Sequence, residues 1–223
     1  MARSARTDIG DYPYHVLNRA IGRLKIFSSA KDYALFLELL AEAVEELNMR
    51  VLAFVIMPNH WHLVLYPRKD GDVGLFMHKL TNAHTRKVHA MTKTTGTGPL
   101  YQGRYKSFLI QEDRHLLAVM KYVERNSVRA KLSKTCEDYR WGSAWLRRYG
   151  TMKQKKTLAE PPVELPRDYF SWINQPENEI DRERIRESVK RGSPLGAETW
   201  VDRMVKKHEL TSTVRPPGRP KKV

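Results

Sequence analysis

Two histidines separated by a single residue, His60 and His62, are the first candidates for chemistry in this chain. They follow a Pro58-Asn59 turn signal and lead into an apolar run, which is typical of the second strand of a hairpin. A strand turns residues i and i+2 to the same face, so both imidazoles would lie side by side. Such a pair could bind one metal ion. The alternative is an incidental pair of exposed strand histidines, which is the commoner outcome for an isolated His-x-His.

A second candidate pair lies about sixty residues later, where Tyr122 and Asn126 are four residues apart. The surrounding periodicity predicts an amphipathic helix that is capped by Asp113 and runs to about Arg129. Residues four apart on a helix are neighbours, so the phenol and the amide would share one face. Taken alone, a tyrosine at this position is more often a core-edge residue with its hydroxyl in water.

The elements that must position these residues alternate in a recognisable order. Apolar spacing predicts strand, helix, strand, strand, helix, strand and a final helix. The predicted ranges are 12–19, 30–47, the two arms of the hairpin around 58–59, 71–90, 100–110 and 113–129. This order predicts an α+β fold, a ferredoxin-like antiparallel sheet with helices on one face, and makes the last helix an addition.

The composition changes after residue 150, where a basic run and a proline-rich run follow each other. We predict a main domain over residues 1–150, a linker over 151–176, a C-terminal helical extension over 177–210 and a basic tail over 211–223. The extension contains a highly charged helix and a shorter amphipathic one.

The overall charge narrows the class of partner. The 223 residues carry a formal charge of +15, which favours nucleic acid or another anionic surface. The single cysteine, Cys136, excludes a disulfide framework and a cysteine-rich zinc site. No apolar run approaches the length of a membrane span, and the first residues lack the apolar core of a signal peptide. We therefore expect a cytoplasmic, nucleoid-associated protein with no membrane partner.

Several short segments together resemble one family. They are Tyr14-His15-Val16 with Asn18-Arg19, Met57-Pro58-Asn59-His60-Trp61-His62-Leu63, Gln102-Gly103-Arg104-Tyr105-Lys106, Tyr122 with Asn126, Val128-Arg129-Ala130 and Tyr139-Arg140-Trp141. The chain resembles the single-tyrosine transposases of the HUH endonuclease superfamily and, within them, the REP-associated tyrosine transposases. The resemblance covers about residues 10–150 and makes 1–150 the expected catalytic domain. One departure is Ser127, where the family often has proline.

The resemblance implies a mechanism. His60 and His62 would bind a divalent metal, Mg²⁺ or Mn²⁺, with Asn126 as third ligand, and Tyr122 would attack a DNA phosphorus. The product would be a 5′-phosphotyrosine and a free 3′-hydroxyl, with no nucleotide cofactor. A free tyrosine hydroxyl titrates near pH 10, so the nucleophile needs a base or a nearby cation, which the sequence does not name.

The implied substrate is single-stranded DNA beside a REP-like hairpin, bound by a monomer, with a dimer as the alternative. Basic residues near predicted strand ends, on the second helix and in a tail segment similar to an AT-hook are the candidates for DNA binding. They are Arg19, Arg23, Lys79, Arg86, Lys87, Arg104, Lys106, Arg215 and Arg219. Those outside the tail could instead belong to an ordinary solvated basic surface, and the tail could be a disordered basic segment that adds nonspecific phosphate contacts.

Two other functions stay open at this point. A domesticated protein could hold hairpin or AT-rich DNA without cutting it. A metal-dependent phosphodiesterase could cut with water and leave no DNA on the protein.

Overall fold

The centre of the protein is a four-stranded antiparallel sheet, seen in a computed structural model that describes residues 8–215. The strand order is β2-β3-β1-β4. The strands are β1 (Tyr14–Arg19), β2 (Arg50–Met57), β3 (His60–Tyr66) and β4 (Lys106–Leu109). This confirms the predicted α+β class and the split β-α-β order of a ferredoxin-like sheet.

Helices account for most of the remaining chain. They are α1 (Ala30–Leu47), α2 (Asp72–Thr92), α3 (Arg114–Glu124), α4 (Asn126–Arg129), α5 (Ser143–Tyr149), α6 (Met152–Lys155), α7 (Tyr169–Asn174), α8 (Glu179–Arg191), α9 (Glu198–Lys207) and α10 (Thr211–Val214). The predicted helix that ends near Arg129 is divided at Arg125 into α3 and α4. The predicted strand 100–110 is shorter. Strand β4 begins at Lys106, and the β-pairing of residues 100–105 is limited to an isolated bridge between Ala20 and Tyr101.

The two faces of the sheet are covered by different helices. Helices α1 and α2 pack on the face that receives Trp61 and Leu63 of β3. Helix α3 packs on the opposite face, against residues such as Val55 and Val64. The period of two along each strand therefore places alternate side chains in two separate cores. The helix that carries Tyr122 lies on the face opposite to α1 and α2.

The C-terminal third of the described chain packs against this domain. The segment 151–176, predicted as a linker, contains α6 and α7 and buries Tyr169 and Ile173. Ile185 of α8 joins the core on the α3 face, whereas Trp200 of α9 joins the core on the other face. The extension thus contributes to both sides of the sheet. Between residues 8 and 215, no helix is both long and apolar enough to cross a membrane.

His84 of α2 belongs to the core, although its basic and polar neighbours in the sequence predict a surface position. Its Nδ1 lies 2.7 Å from the Tyr101 hydroxyl, and Trp61 Nε1–H donates to the same hydroxyl at 3.0 Å. The imidazole also stacks on Phe27 at a ring-centroid distance of 5.3 Å. Aromatic packing therefore draws this side chain inward.

Burial gives His84 a measurable role in the pH dependence of stability. It lowers the pKa of His84 from 6.5 to about 4, so the folded protein resists protonation while the unfolded chain takes up a proton. Stability from this residue is present above pH 6.5 and is lost as the pH falls towards 4. At pH 5 the loss is about 2 kcal/mol. Between pH 7.5 and 5, we expect His84→Asn, which keeps an acceptor for Tyr101, to lose about 2 kcal/mol less stability than the wild type. Urea unfolding with a chelator present measures it, and equal pH dependence in both proteins would contradict the assignment.

Candidate active site

His60 and His62 lie at the start of β3 on the face covered by α3. Their ring centroids are 5.1 Å apart, and Trp61 between them points into the opposite core. A third histidine, His15 of β1, is fully buried beside them. Its Nε2 lies 2.8 Å from His62 Nδ1, and the two rings stack at 5.0 Å. The site is therefore built on two adjacent central strands rather than on the β2–β3 hairpin alone.

The two histidines predicted as metal ligands are held in a form that suits metal binding. The Asn59 side-chain oxygen lies 2.6 Å from His60 Nδ1, and because an amide oxygen only accepts, this nitrogen carries the proton. His62 keeps its Nε2 lone pair when its Nδ1–H donates to His15. Partners on the second ring nitrogen orient metal-binding histidines in this way.

Burial keeps these histidines neutral, as ligands must be. It lowers the pKa of His60 to about 4, with a smaller contribution from the Arg19 guanidinium. It also lowers the pKa of His62 well below its usual value, and neighbouring His15 and His60 act in the same direction. The pKa of His15 falls to about 3 for the same reason.

Tyr122 of α3 lies directly beside the histidines. Its ring centroid is 6.2 Å from that of His62 and 6.3 Å from that of His15, with the rings nearly perpendicular in each case. The side chain is 8% exposed, and its hydroxyl has no hydrogen-bond partner within residues 8–215. Helix α3 therefore brings the tyrosine to the strand histidines, and the hydroxyl is not engaged in a structural bond.

Asn126, the predicted third ligand, begins α4 one turn after Tyr122 and is half-buried. Its Nδ2 donates to the carbonyls of Tyr122 (3.1 Å) and Val123 (3.2 Å). These bonds fix the amide nitrogen towards the helix and leave Oδ1 as the atom that could approach a cation. Within residues 8–215 no cluster of three His, Cys, Asp or Glu side chains could hold a metal. Two imidazoles and an amide oxygen fall outside that definition, and nitrogen and oxygen donors of these types can bind a divalent cation.

Arg129 supplies a cation at the tyrosine that sequence reasoning did not identify. Its guanidinium lies 4.2 Å from the centre of the Tyr122 ring, and its Nη2 donates to the Tyr122 carbonyl at 2.8 Å. Glu177, just before α8, accepts from Arg129 and from Arg125. Arg129 belongs to the Val128-Arg129-Ala130 segment of the resemblance, so a signal for it existed. No pattern in the sequence indicated Glu177.

Comparison with known proteins identifies the family. A family model described as "Transposase IS200 like" matches residues 9–126, more than half of the chain. The chain belongs to this family. The resemblance found in the sequence is thereby confirmed at this level.

Two solved structures are similar to this IS200-like transposase. A REP-associated tyrosine transposase, solved bound to a REP hairpin, is similar over 74% of this chain and 95% of its own, with a TM-score of 0.56 and 16% identity. The two proteins share a fold. A transposase from Deinococcus radiodurans R1 is similar over 56% of this chain and 97% of its own, with a TM-score of 0.37 and 17% identity. Among curated proteins, no relative matches.

Two of the predicted DNA-binding residues lie near the histidines of the transposase. Arg19 at the end of β1 pairs in register with His60 of β3, and its positive charge contributes to the lowered pKa of His60 and His62. Arg23 is exposed in the next loop, and its carbonyl accepts from Asn59 Nδ2 at 3.3 Å. That loop therefore braces the turn that leads into His60.

The other predicted DNA-binding residues lie elsewhere. Lys79, Arg86 and Lys87 belong to α2, on the sheet face opposite to Tyr122, and Lys79 forms an ion pair with Glu46 of α1. Arg104 and Lys106 are exposed and line a cavity of about 610 Å³ between β4 and the C-terminal helices. The Arg215 carbonyl accepts from Arg191 of α8, whereas Arg219 and most of the AT-hook-like segment lie outside the described residues.

Proposed function

We propose that this transposase cuts and rejoins single-stranded DNA beside REP-like hairpins, through a phosphotyrosine formed on Tyr122. The observation that carries the proposal is the contact of Tyr122 with His62 and His15. It brings the one nucleophile of the resemblance to the histidine pair expected to bind a metal. The family match and the fold shared with a hairpin-bound relative support the choice of DNA as substrate.

Each residue has a defined role in this reaction. Tyr122 Oη gives up its proton to water and attacks the scissile phosphorus, the bond to the 3′ oxygen breaks, and that oxygen takes up a proton from water as a free hydroxyl. The 5′ phosphate stays esterified to the tyrosine, which preserves the bond for rejoining without a nucleotide cofactor. His60, His62 and Asn126 would hold Mg²⁺ or Mn²⁺, which polarises the phosphate when bound. The Arg129 guanidinium over the ring of Tyr122 is the nearby cation that the nucleophile needs.

The basic residues beside the site indicate where the DNA backbone lies. Arg19 is the last residue of β1 and pairs in register with His60, and Arg23 lies in the segment that follows β1. A single strand that reaches Tyr122 along this path meets positive charge before it meets the histidines. The substrate is a DNA hairpin with a single-stranded flank, and the protein binds it as a monomer. The reaction takes place in the nucleoid.

The test uses a hairpin oligonucleotide with a single-stranded flank, labelled on the 3′ side of the expected cut, together with Mn²⁺. We expect a labelled band that migrates with the protein on a denaturing gel. Mass spectrometry of a tryptic digest should then place the DNA on the peptide that begins at Tyr122. Excess chelator, added before the DNA, should prevent formation of this band.

The alternatives give different results in the same assay. Tight hairpin binding with no cleavage, unaffected by chelator, would support a domesticated binding protein. Cleavage without protein-bound DNA would support a phosphodiesterase that uses water. Either result would overturn the phosphotyrosine proposal.

A further inference from the structure

Glu177 connects the C-terminal extension to the helix that carries Tyr122. It lies between α7 and α8, and its side chain is 8% exposed. One carboxylate oxygen accepts from Arg125 Nε at 3.0 Å, and the other accepts from Arg129 Nη1. A buried carboxylate shared by two guanidinium groups is held by charge-assisted hydrogen bonds on both oxygens.

The position of Glu177 is itself fixed. Arg125 Nη1 donates to the carbonyl of Ile173 at 3.2 Å and also to that of Asn174, both at the end of α7. Arg125 therefore ties the last turn of α7 to the junction of α3 and α4. Together Glu177, Arg125 and Arg129 form what we call the Glu177 clamp.

The clamp reaches the nucleophile through Arg129. Nη1 of Arg129 donates to Glu177, Nη2 donates to the Tyr122 carbonyl, and the guanidinium carbon lies 4.2 Å from the centre of the Tyr122 ring. The Tyr122 ring thus lies beside two histidine rings that are nearly perpendicular to it, and it also contacts the Arg129 guanidinium. Without Glu177, two neighbouring guanidinium groups would face each other with no anion between them, and repulsion would displace Arg129.

The surroundings of Arg129 would favour its displacement if Glu177 were absent. Burial lowers the pKa of Arg129 to about 10, and the positive charges of Arg125, Arg186 and Arg182 act in the same direction. Arg186 and Arg182 belong to α8, so the extension adds positive charge beside the site. Glu177 is the anion that offsets this charge at Arg129.

We propose that Glu177 is a positioning residue for the nucleophile, which makes the C-terminal extension part of the catalytic unit rather than an appendage. Glu177 holds Arg129 against the Tyr122 ring and so keeps the hydroxyl directed at the site beside His62. The catalytic part of this inference rests on the proposed function. The positional part concerns the free protein and can be tested without DNA.

The first measurement is nitration of tyrosines by tetranitromethane, read by mass spectrometry of tryptic peptides in the full-length protein. Exposed Tyr149 is the reference for reagent, and buried Tyr101 is the reference for folding. In Glu177→Ala we expect Tyr122 nitration to rise about tenfold, because a lost buried ion contact increases local opening. Glu177→Gln keeps an accepting oxygen but not the charge, and should give a smaller rise with Tyr101 unchanged. Glu187→Gln is the matched control, because Glu187 lies on α8 and pairs only with Arg191 among the described ion pairs.

The second measurement is the single-turnover rate of adduct formation. Misplacement of a nucleophile by about 1 Å can cost roughly a hundredfold in rate, so we expect a fall of tenfold to a hundredfold in Glu177→Ala with hairpin affinity within about twofold. Because the effect passes through Arg129, the double variant Glu177→Ala/Arg129→Ala should be no slower than Arg129→Ala alone.

The outcomes separate the two proposals. Unchanged Tyr122 nitration in both Glu177 variants, or rates that multiply in the double variant, would overturn the positioning role. A wild-type protein that forms no adduct would overturn the proposed function, and nitration would still decide the clamp. Equal increases at Tyr122 and Tyr101 in Glu177→Gln would show general unfolding and would also overturn the positioning role.

Discussion

Tyr122→Phe is expected to lower covalent adduct formation by at least about a thousandfold, because the substitution removes the oxygen proposed to attack and nothing else from the site. The phenyl ring keeps its contacts with His62, His15 and the Arg129 guanidinium. Stability should change by less than about 1 kcal/mol, since the hydroxyl has no structural hydrogen bond among the described residues. A denaturing gel with labelled hairpin measures the adduct, and urea unfolding measures the stability.

Two controls make this result specific. Hairpin affinity of Tyr122→Phe should equal that of the wild type, because the hydroxyl is not a charged contact. Tyr149→Phe, at an exposed position on α5, should leave adduct formation unchanged. A Tyr122→Phe protein that still forms the adduct would show that another residue is the nucleophile.

Loss of either His60 or His62 is expected to remove metal-dependent activity, but only loss of His62 should also destabilise the fold. His60→Ala and His62→Ala each delete a proposed ligand and should weaken Mn²⁺ binding by more than about a hundredfold, since loss of an outer-shell partner already costs ten- to a hundredfold. His62 is buried and pairs with His15, so its removal leaves His15 Nε2 without its partner at a cost of about 1–3 kcal/mol. His60 is only half-buried, and its partner Asn59 can turn to water.

The measurements are Mn²⁺ titration by calorimetry and urea unfolding of the metal-free proteins. Leu24→Ala, an exposed change in the nearby loop, is a suitable control for both. Wild-type Mn²⁺ affinity in the two histidine variants would refute their assignment as ligands. Equal stability losses in both variants would refute the distinct role given to the His15–His62 pair.

The strand positions of this site could be predicted because a period of two is a local property. His60 and His62 flank Trp61 in the sequence, and the sheet places Trp61 in the opposite core. The bounds of α1 were likewise predictable from spacing, and in the structure the Asp32 carboxylate accepts from the Ser29 N–H at 2.8 Å at the start of the helix. The order of elements then indicated a ferredoxin-like antiparallel sheet.

The remaining features depend on contacts between distant segments. His15 meets His62 across 47 positions, and Glu177 meets Arg129 across 48. Neither pairing follows from spacing or propensity. His84 was predicted at the surface because its neighbours in the sequence are polar, whereas aromatic packing from Phe27 and a bond with Tyr101 place it in the core.

Later segments of the chain form hydrogen bonds with both edge strands of the sheet. At the β2 edge, Ile56 N–H donates to the Trp141 carbonyl at 2.9 Å and Ala159 N–H donates to Val51 at 2.8 Å. At the β4 edge, Leu195 N–H donates to the Leu109 carbonyl at 2.8 Å. Backbone groups that would otherwise attract a foreign strand are thus already paired with later parts of the same chain. A second molecule could add a strand to this sheet only by first displacing those segments. Truncation before residue 195 would therefore leave the β4 edge unpaired and favour aggregation.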